Sequence, residues 1–478
     1  MTQTFPPSPR TISRRAVVAG LLAGAALAHA PGTLAAPAPP SGSGTRPNIL
    51  FIMADDMGFA DLSCYGRREY ETPVLDQLAA EGMRFTQAYA NSAVCTATRV
   101  ALITGRYQYR LPVGLEEPLG LRDVGLPPEQ PTMASLLRAA GYHTSLIGKW
   151  HMGSLPKYGP LKSGYDQFWG IRQGGVDYFT HKIGGFPDLW DGETPVEETG
   201  YLTQLLAERT IEALEERARD DKPWLISLHL TAPHWPWEGP EDHAESARLA
   251  AKGGFSIAHY DGGSMDTYAA MVTSMDEQIG RVLDRLAQLG LAEDTLVVFT
   301  SDNGGERFSD TWPFTGKKTE LLEGGLRIPA IVRWPGVTPP ASTSTAQIMS
   351  MDWMPTFLAA AGAAPDPASP SDGRDLRGAL EGREFPERAL FWRFRNHDQM
   401  AARQGRWKYL SIAGNNFLFD VEADPLERAN LKERHPETFA RLRAAWEAWN
   451  AKMLPNDPEA ASYGFTGEML ADHFGIDS

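Results

Sequence analysis

Four short apolar segments, each followed at once by ionisable or amide side chains, constrain the fold of this chain more than any other feature. The segments are Asn48–Met53, His143–Ile147, Trp224–Leu230 and Thr295–Thr300. Continuous apolar runs of this length are typical of strands that are buried on both faces. The polar residues that follow them are Asp55, Asp56, Lys149, His151, His234, Asp302 and Asn303. Because ligands in open α/β sheets bind beyond the carboxyl ends of the strands, these side chains are predicted to share one crevice.

Amphipathic segments with helical spacing of apolar residues lie between these runs. They are Val74–Glu81, Pro131–Ala140, Thr203–Arg219 and Asp266–Leu289. After about residue 388 the pattern changes to short strands and a last helix. These segments are Ala389–Phe394, Met400–Ile412, Phe417–Val421 and Pro436–Met453. We therefore expect an α/β fold with a large doubly wound mixed sheet flanked by helices, and a smaller C-terminal antiparallel sheet plus helix.

The oxygen-bearing residues at two of the strand ends form a candidate metal site. Asp55, Asp56, Asp302 and Asn303 offer only carboxylate and amide oxygens. Adjacent carboxylates after a buried strand are costly unless a cation neutralises them, whereas an exposed Asp-Asp turn would carry no such cost. The ligand set suits a hard cation, Ca²⁺ or Mg²⁺, rather than zinc.

The segment Ala93–Arg106 holds Cys95, one of two cysteines in the chain, and Arg99 four residues later. If a helix begins just after Cys95, this spacing is about one turn, so the thiol and the guanidinium share a face. A helix N-terminus also offers unpaired N–H groups and partial positive charge. The segment thus predicts a reactive position in an anion-binding corner. The alternative for an isolated cysteine here is a small apolar filler.

The motif that includes Cys95 is longer than an isolated pair. Cys95-Thr96-Ala97-Thr98-Arg99 followed by Leu102-Ile103-Thr104-Gly105-Arg106 resembles the signature of the formylglycine-dependent sulfatases. In that family the cysteine is oxidised to an aldehyde residue, 3-oxoalanine, whose hydrate is the nucleophile. The family usually has proline two residues after the cysteine, where this chain has Ala97. The resemblance extends from Pro47 to the late segments Arg406–Leu410 and Leu418–Asp420.

The resemblance implies a role for each site residue. One divalent cation would be held by Asp55, Asp56, Asp302, Asn303 and the formylglycine at Cys95. Calcium is the first choice because bidentate carboxylates suit it, and magnesium is the second. The cationic pocket residues would be Arg99, Lys149 and Lys318, and the active-site histidines His151 and His234. Lys318 is chosen over Lys317 because it lies five positions before the glutamate of Glu323-Gly324-Gly325-Leu326-Arg327.

The expected activity is hydrolysis of a sulfated small molecule or carbohydrate to an alcohol and inorganic sulfate. Two alternatives stay open. One is a formylglycine-dependent hydrolase of phosphodiesters or phosphonate monoesters, and the other is an unmodified, non-catalytic glycan-binding protein. The residues Tyr178–Lys182 and the late loops are expected to border the substrate.

Charge and cysteine content limit the partners of this chain. The formal net charge of -15 argues against nucleic acid and anionic membranes as partners. Two cysteines cannot form a disulfide scaffold, and a Cys64–Cys95 bridge would remove the proposed nucleophile, so Cys64 is expected to be a structural thiol. Arg406, Trp407 and Lys408 are interpreted as sheet residues whose charged ends reach solvent rather than as an anion site.

The first residues are interpreted as a targeting signal. Ser13-Arg14-Arg15 precedes a short apolar run, and small residues follow it, which resembles a twin-arginine signal over residues 1–36. Residues 37–46 are expected to be a flexible leader, 47–387 the catalytic domain and 388–478 a C-terminal α+β subdomain. The partners implied are the Tat export machinery and a formylglycine-generating or sulfatase-maturing enzyme, and the expected location is the bacterial periplasm or the medium.

Overall fold

The computed structural model describes residues 46–120, 122–254 and 256–464 of the chain. The expected signal peptide over residues 1–36 lies outside the described residues, as does all of the 37–46 leader except Arg46. Within the described residues, no helix combines the length and the apolar character that crossing a bilayer requires.

Seventeen strands are present in the described part of the chain. In chain order they are β1 Asn48–Ala54, β2 Met83–Tyr89, β3 His143–Gly148, β4 Gln167–Gly170, β5 Lys182–Ile183, β6 Phe186–Pro187, β7 Trp190–Asp191, β8 Thr194–Pro195, β9 Trp224–His229, β10 Thr295–Ser301, β11 Arg327–Arg333, β12 Ser342–Ser344, β13 Ile348–Met349, β14 Ala389–Phe394, β15 Gln399–Gln404, β16 Trp407–Ile412 and β17 Asn415–Asp420. The four strands predicted from apolar runs are β1, β3, β9 and β10.

Eleven of these strands form the main sheet, whose order is β12-β2-β11-β10-β1-β9-β3-β4-β7-β8, with β13 paired to β2. The central strands β10, β1, β9, β3 and β4 are parallel. Strand β11 runs antiparallel to both β10 and β2. The sheet is therefore mixed, as the sequence predicts.

Ten α-helices accompany the sheets in the described residues. They are α1 Pro73–Glu81, α2 Cys95–Thr104, α3 Met133–Ala139, α4 Leu202–Arg217, α5 His243–Lys252, α6 Met265–Gln288, α7 Glu323–Leu326, α8 Trp353–Ala360, α9 Arg377–Leu380 and α10 Pro436–Asn450. Helix α3 begins two residues later than predicted, because Thr132 is its N-cap and accepts from the Ser135 amide at 3.0 Å. Helix α2 ends before Gly105, whose φ of +64° lies in the left-handed region.

The main sheet is the middle of three layers. Ile49, Phe51 and Met53 of β1 belong to one buried cluster, which includes residues of α2, α3 and α8. The alternate residues Leu50 and Ile52 belong to a second cluster on the opposite face, with residues of α1, α4 and α6. Because β1 is apolar on both faces, it can be buried by helices on both sides, which explains its continuous apolar sequence.

A separate antiparallel sheet has the order β14-β15-β16-β17. Its inner face shares a buried cluster with helix α10 and with Tyr89, Val94 and Leu326 of the main body. The predicted strand Met400–Ile412 is wrong as a single strand. Gly405, with φ of +58°, lies between β15 and β16 and turns the chain back on itself, so that Gln404 pairs with Trp407.

The interpretation of Lys408 as a solvent-reaching residue is also wrong. Its side chain is fully buried, with its Nζ 3.1 Å from Glu323 Oε1 and 2.9 Å from Glu427 Oε1. Arg406, by contrast, keeps nearly half of its side chain exposed while pairing with Asp420 at 2.6 Å. The two basic residues differ because Lys408 faces buried glutamates that are distant from it in sequence.

Candidate active site

Strand register places the predicted polar residues at one edge of the main sheet. Ala54 at the end of β1 pairs with Ser301 at the end of β10, and Gly148 at the end of β3 pairs with His229 at the end of β9. Asp55, Asp302 and Lys149 therefore leave the sheet side by side. All ten predicted site residues lie together at this edge. Nine of them are buried, and the side chain of Lys318 is 10% exposed.

The oxygen-bearing residues form a tight, buried cluster. The Asp56 amide donates to Asp302 Oδ1 at 3.2 Å, and Asn303 Nδ2 donates to Asp56 Oδ1 at 2.7 Å. Two buried oxygens, Asp55 Oδ1 and Asn303 Oδ1, have no hydrogen-bond partner within the described residues. A buried acceptor without a partner is costly unless a ligand meets it. These oxygens therefore fit a hard divalent cation, because such ions prefer oxygen ligands to nitrogen or thiolate ligands.

One potential ligand was not predicted as such. His234, Asp55 and Asp56 each offer an atom, and these atoms lie within 4.8 Å of one another. His234 Nε2 is 3.5 Å from Asp56 Oδ2. The chain thus places an imidazole at the margin of the carboxylate cluster.

Three cationic side chains balance the three carboxylates. Arg99 donates from Nε and Nη2 to Asp302 Oδ2 at 3.0 and 2.8 Å. Lys149 Nζ lies 2.5 Å from Asp55 Oδ2, and Lys318 Nζ lies 2.5 Å from Asp56 Oδ2. Burial alone would raise the pKa of Asp302, but Arg99 and Lys149 outweigh it, so this pKa is lowered. The cluster is therefore close to electrically neutral, and an anion can bind on the side that faces the pocket.

Lys318 depends on both sheets for its position. The Lys318 amide donates to Gly305 O at 2.9 Å, which ties its loop to the end of β10. Gln399 of β15 donates from Nε2 to Thr319 O at 2.8 Å and accepts at Oε1 from the Leu321 amide at 2.8 Å. The small sheet therefore fixes the backbone that follows Lys318.

Cys95 is the first residue of α2, one position earlier than the predicted helix start. Its Sγ lies 3.2 Å from His151 Nδ1, and His151 Nε2 lies 3.3 Å from Leu119 O. Burial raises the pKa of the Cys95 thiol, with Lys149 and Lys318 opposing the shift. The unmodified thiol is therefore a poor nucleophile at neutral pH. Cys64 and Cys95 are both free, so the expectation that no bridge joins them is met.

Both predicted histidines are held neutral. The pKa of His151 is well below its usual range because of burial first, and then because of Lys149 and Arg99. Burial, Lys318 and Lys149 lower the pKa of His234 in the same way. Tyr178 holds the His234 segment from behind, since its hydroxyl donates to His234 O at 2.9 Å. Neutral imidazoles beside a reacting group can accept protons.

An open pocket of about 430 Å³ leads from solvent to this cluster. Cys95, His151, His234 and Lys318 line its inner end. Gly174 and Gly175 form one wall, where a Cβ would meet the His151 ring at 2.7 Å and the His234 ring at 3.0 Å. The predicted border Tyr178–Lys182 is not part of the lining, although residues on either side of it, Gly175 and Ile183, are. Of the late loops, the segment Tyr463-Gly464 lines the pocket.

Sequence reasoning missed His229, the last residue of β9. Its Nδ1 lies 3.2 Å from Lys149 O, to which Arg99 Nη1 also donates at 3.1 Å. Burial and Arg99 lower the pKa of His229 to about 3, so the ring is neutral. Its position in an otherwise apolar, buried strand could have marked His229 as a candidate site residue.

The fold and this charge-balanced crevice, with a reactive position at a helix N-terminus, define a hydrolase of anionic esters. The model of the Sulfatase family matches residues 47–363 of the chain. The chain belongs to the sulfatase family, and it is a sulfuric ester hydrolase.

Named relatives and a solved structure agree with this assignment. Human arylsulfatase A is 32% identical over 79% of this chain and 77% of its own length. Mouse steryl-sulfatase is 30% identical over 95% of this chain and 89% of its own length. The crystal structure of Ps i-CgsB in complex with k-i-k-neocarrahexaose is 26% identical, with a TM-score of 0.78, over 90% of this chain and 98% of that chain.

Proposed function

We propose that this sulfatase hydrolyses its ester through a formylglycine made from Cys95, with one divalent cation, Ca²⁺ or else Mg²⁺, held by Asp55, Asp56, Asp302, Asn303 and the modified residue. The observation that carries the proposal is the convergence of these groups with Arg99, Lys149 and Lys318 at one sheet edge. The unpartnered oxygens Asp55 Oδ1 and Asn303 Oδ1 support the cation.

The two absent groups would supply chemistry that the encoded side chains lack. The cation would neutralise the ester's charge, and a hydrated aldehyde at position 95 would provide an oxygen nucleophile with a second hydroxyl that lets sulfate depart. All other contributions come from the chain itself, and they can be assigned from its contacts.

The cationic residues bind and orient the sulfate group. Arg99 is fixed by its two hydrogen bonds to Asp302, so it holds the carboxylate cluster and the start of α2 in one geometry. Lys149 and Lys318 lie on opposite sides of this cluster, at Asp55 and Asp56. Their ammonium groups can contact sulfate oxygens that enter between them.

The histidines move protons. His151 Nε2–H donates to Leu119 O in the neutral tautomer, which leaves Nδ1, 3.2 Å from Cys95 Sγ, free to accept a proton from the group at position 95. His234 and Lys318 line the pocket beside this group. They would stabilise or protonate the departing alkoxide.

The test has two parts. The first is the mass of the peptide that contains residue 95, where an aldehyde supports the proposal and an unmodified thiol would overturn it. The second is a comparison of kcat/KM on 4-nitrophenyl sulfate with that on an aryl phosphodiester and an aryl phosphonate. A clear preference for the sulfate supports the proposal, and a preference for a phosphorus ester would assign the alternative hydrolase.

We further propose that the protein reaches the periplasm or the medium through the Tat machinery, after a formylglycine-generating or sulfatase-maturing enzyme has acted on Cys95. The support is the paired Arg14-Arg15 before a short apolar run. Replacing both arginines with lysine should retain the protein inside the cell, as cell fractionation would measure. Unchanged export of this variant would instead indicate a general secretory signal.

A further inference from the structure

The outer part of the pocket is apolar and aromatic. The described chain exposes five large apolar side chains, and three of them, Phe186, Tyr260 and Tyr463, line this pocket with exposures of 74%, 42% and 52%. Ile183 and Trp235 add to the same walls. Exposed apolar side chains that gather at one concave site mark a binding surface for an apolar ligand.

Two of these aromatic side chains, Phe186 and Tyr463, belong to segments that hydrogen bonds fix in place. Phe186 belongs to the β5–β6 hairpin, and the following Asp188 accepts from the Gln173 amide at 2.7 Å, which ties the hairpin to the opposite wall. The Tyr463 amide donates to Glu117 O at 2.6 Å. Since anchored loops lose little conformational entropy when a ligand binds, these side chains form a preorganised surface.

The charge of the outer pocket is equally informative. Among the described residues that line the whole pocket, the Asp, Glu, Lys and Arg side chains are Glu306 and, at the inner end, Lys318. Lys318 is engaged with Asp56, and Glu306 lies 3.9 Å from Lys318. No arginine lines the pocket within the described residues.

This distribution disfavours a substrate with a second anionic group. A second sulfate or a carboxylate in the outer pocket would be desolvated near Glu306, and the nearby Arg307 is stacked on the Tyr260 ring, 5.5 Å from its centroid, and is not among the lining residues. The formal net charge of -15 adds long-range repulsion of polyanions. A flat, uncharged aromatic group instead meets aromatic side chains, with which it can pack.

We infer that Phe186, Tyr260 and Tyr463 form a specificity-determining aromatic rim that selects monosulfate esters of flat, uncharged aromatic alcohols and rejects polysulfated or carboxylated glycans. This inference rests on the proposed function. The sulfate end of such an ester lies against Lys318 and Cys95, and its aromatic end lies between the three rim residues.

The experiment compares 4-nitrophenyl sulfate, galactose 6-sulfate and a disulfated disaccharide on the mature enzyme. Product is followed by nitrophenolate absorbance or by ion chromatography of sulfate. We expect kcat/KM to be highest for the aryl ester and at least about 100-fold lower for the disulfated sugar. The variants F186A, Y260A and Y463A should each raise KM for the aryl ester about fivefold to tenfold and leave kcat within about twofold.

The matched control is W312A, because Trp312 is 66% exposed and is not among the residues that line the pocket. It should leave all three kcat/KM values unchanged. Efficient cleavage of the disulfated sugar, or rim variants with the KM of the wild type, would overturn the inference while the proposed function stands. An enzyme that cleaves none of the three sulfate esters would overturn both.

Discussion

Lys408 of the small sheet and Glu323 of the main body form an ion pair at 3.1 Å with both side chains fully buried. Glu427 lies 2.9 Å from the same ammonium group. Without Lys408, the two buried carboxylates would keep only Arg327 and Arg403, which both contact Glu323, as cations in the described residues. K408M should therefore lower the free energy of unfolding by about 3 kcal/mol. Urea-induced unfolding, followed by tryptophan fluorescence, measures the change.

The control for this variant is R406A on the same hairpin. Arg406 pairs with Asp420 at the surface, where an ion pair contributes less than about 1 kcal/mol. If K408M and R406A lowered the free energy of unfolding by the same small amount, the buried ion pair between Lys408 and Glu323 would not stabilise the contact between the small sheet and the main body.

Replacing Cys95 with serine should limit the enzyme to one turnover. A serine hydroxyl can take up the sulfate group, but it has no second hydroxyl from which the group could be expelled. The released alcohol, measured in a rapid-quench experiment, should not exceed one equivalent per enzyme. C64S is the matched control because Cys64 lies outside the pocket, and it should turn over normally. Sustained turnover by C95S would contradict the role of residue 95.

Asp302 should matter for cation affinity as well as for Arg99. The D302N variant keeps the shape of the side chain but removes one negative charge from the cluster of Asp55, Asp56 and Asn303. We expect the Kd for Ca²⁺ to rise at least about tenfold in isothermal titration calorimetry. D310N is the control, since Asp310 is not among the predicted ligands. An unchanged Kd for D302N would remove this residue from the ligand set.

Glu117 should make stability depend on pH. Burial raises its pKa from 4.5 to about 7, against the opposing hydrogen bond from Ser462. Below about pH 4.5 the carboxyl is protonated in both the folded and the unfolded chain, and this is where its contribution is fully present. As pH rises to 7, the unfolded chain releases its proton first, so the free energy of unfolding falls by about 3 kcal/mol.

The E117Q variant mimics the protonated carboxyl and isolates this effect. The difference in the free energy of unfolding between wild type and E117Q should change between pH 4.5 and 7 and be constant above that range. Urea titrations at several pH values would measure it. A constant difference across the whole range would show that the pKa of Glu117 is the same in the folded and unfolded chains, contrary to this prediction.

The central strands were predictable because their signal is local. Strands β1, β3, β9 and β10 are short apolar runs, and burial on both faces requires that composition. Strand β2 was missed because Arg84, Thr86 and Gln87 interrupt it, and β11 begins and ends with arginine. The two-residue strands β5 to β8 are too short to show any period.

The site followed from two different kinds of information. Residues at the ends of adjacent parallel strands, such as Asp55 and Asp302, come together through register, so sequence pattern alone brings them close. Lys318 belongs to a loop, and it was predicted as a pocket cation through the family motif and not through any local pattern. Its contact with Asp56 is seen only in the structure. The burial of Lys408 was unpredictable, because its partner Glu323 is far away in the sequence.

The two amide contacts of Gln399 have a consequence for how the enzyme becomes competent. Thr319 and Leu321 are held by a residue that leaves the ribosome well after them. A nascent or prematurely terminated polypeptide that lacks β15 therefore carries every ionisable group of the reaction centre but has no anchor for one of its lysines. The final geometry around Lys318 therefore waits for a residue that is synthesised 80 positions after Thr319.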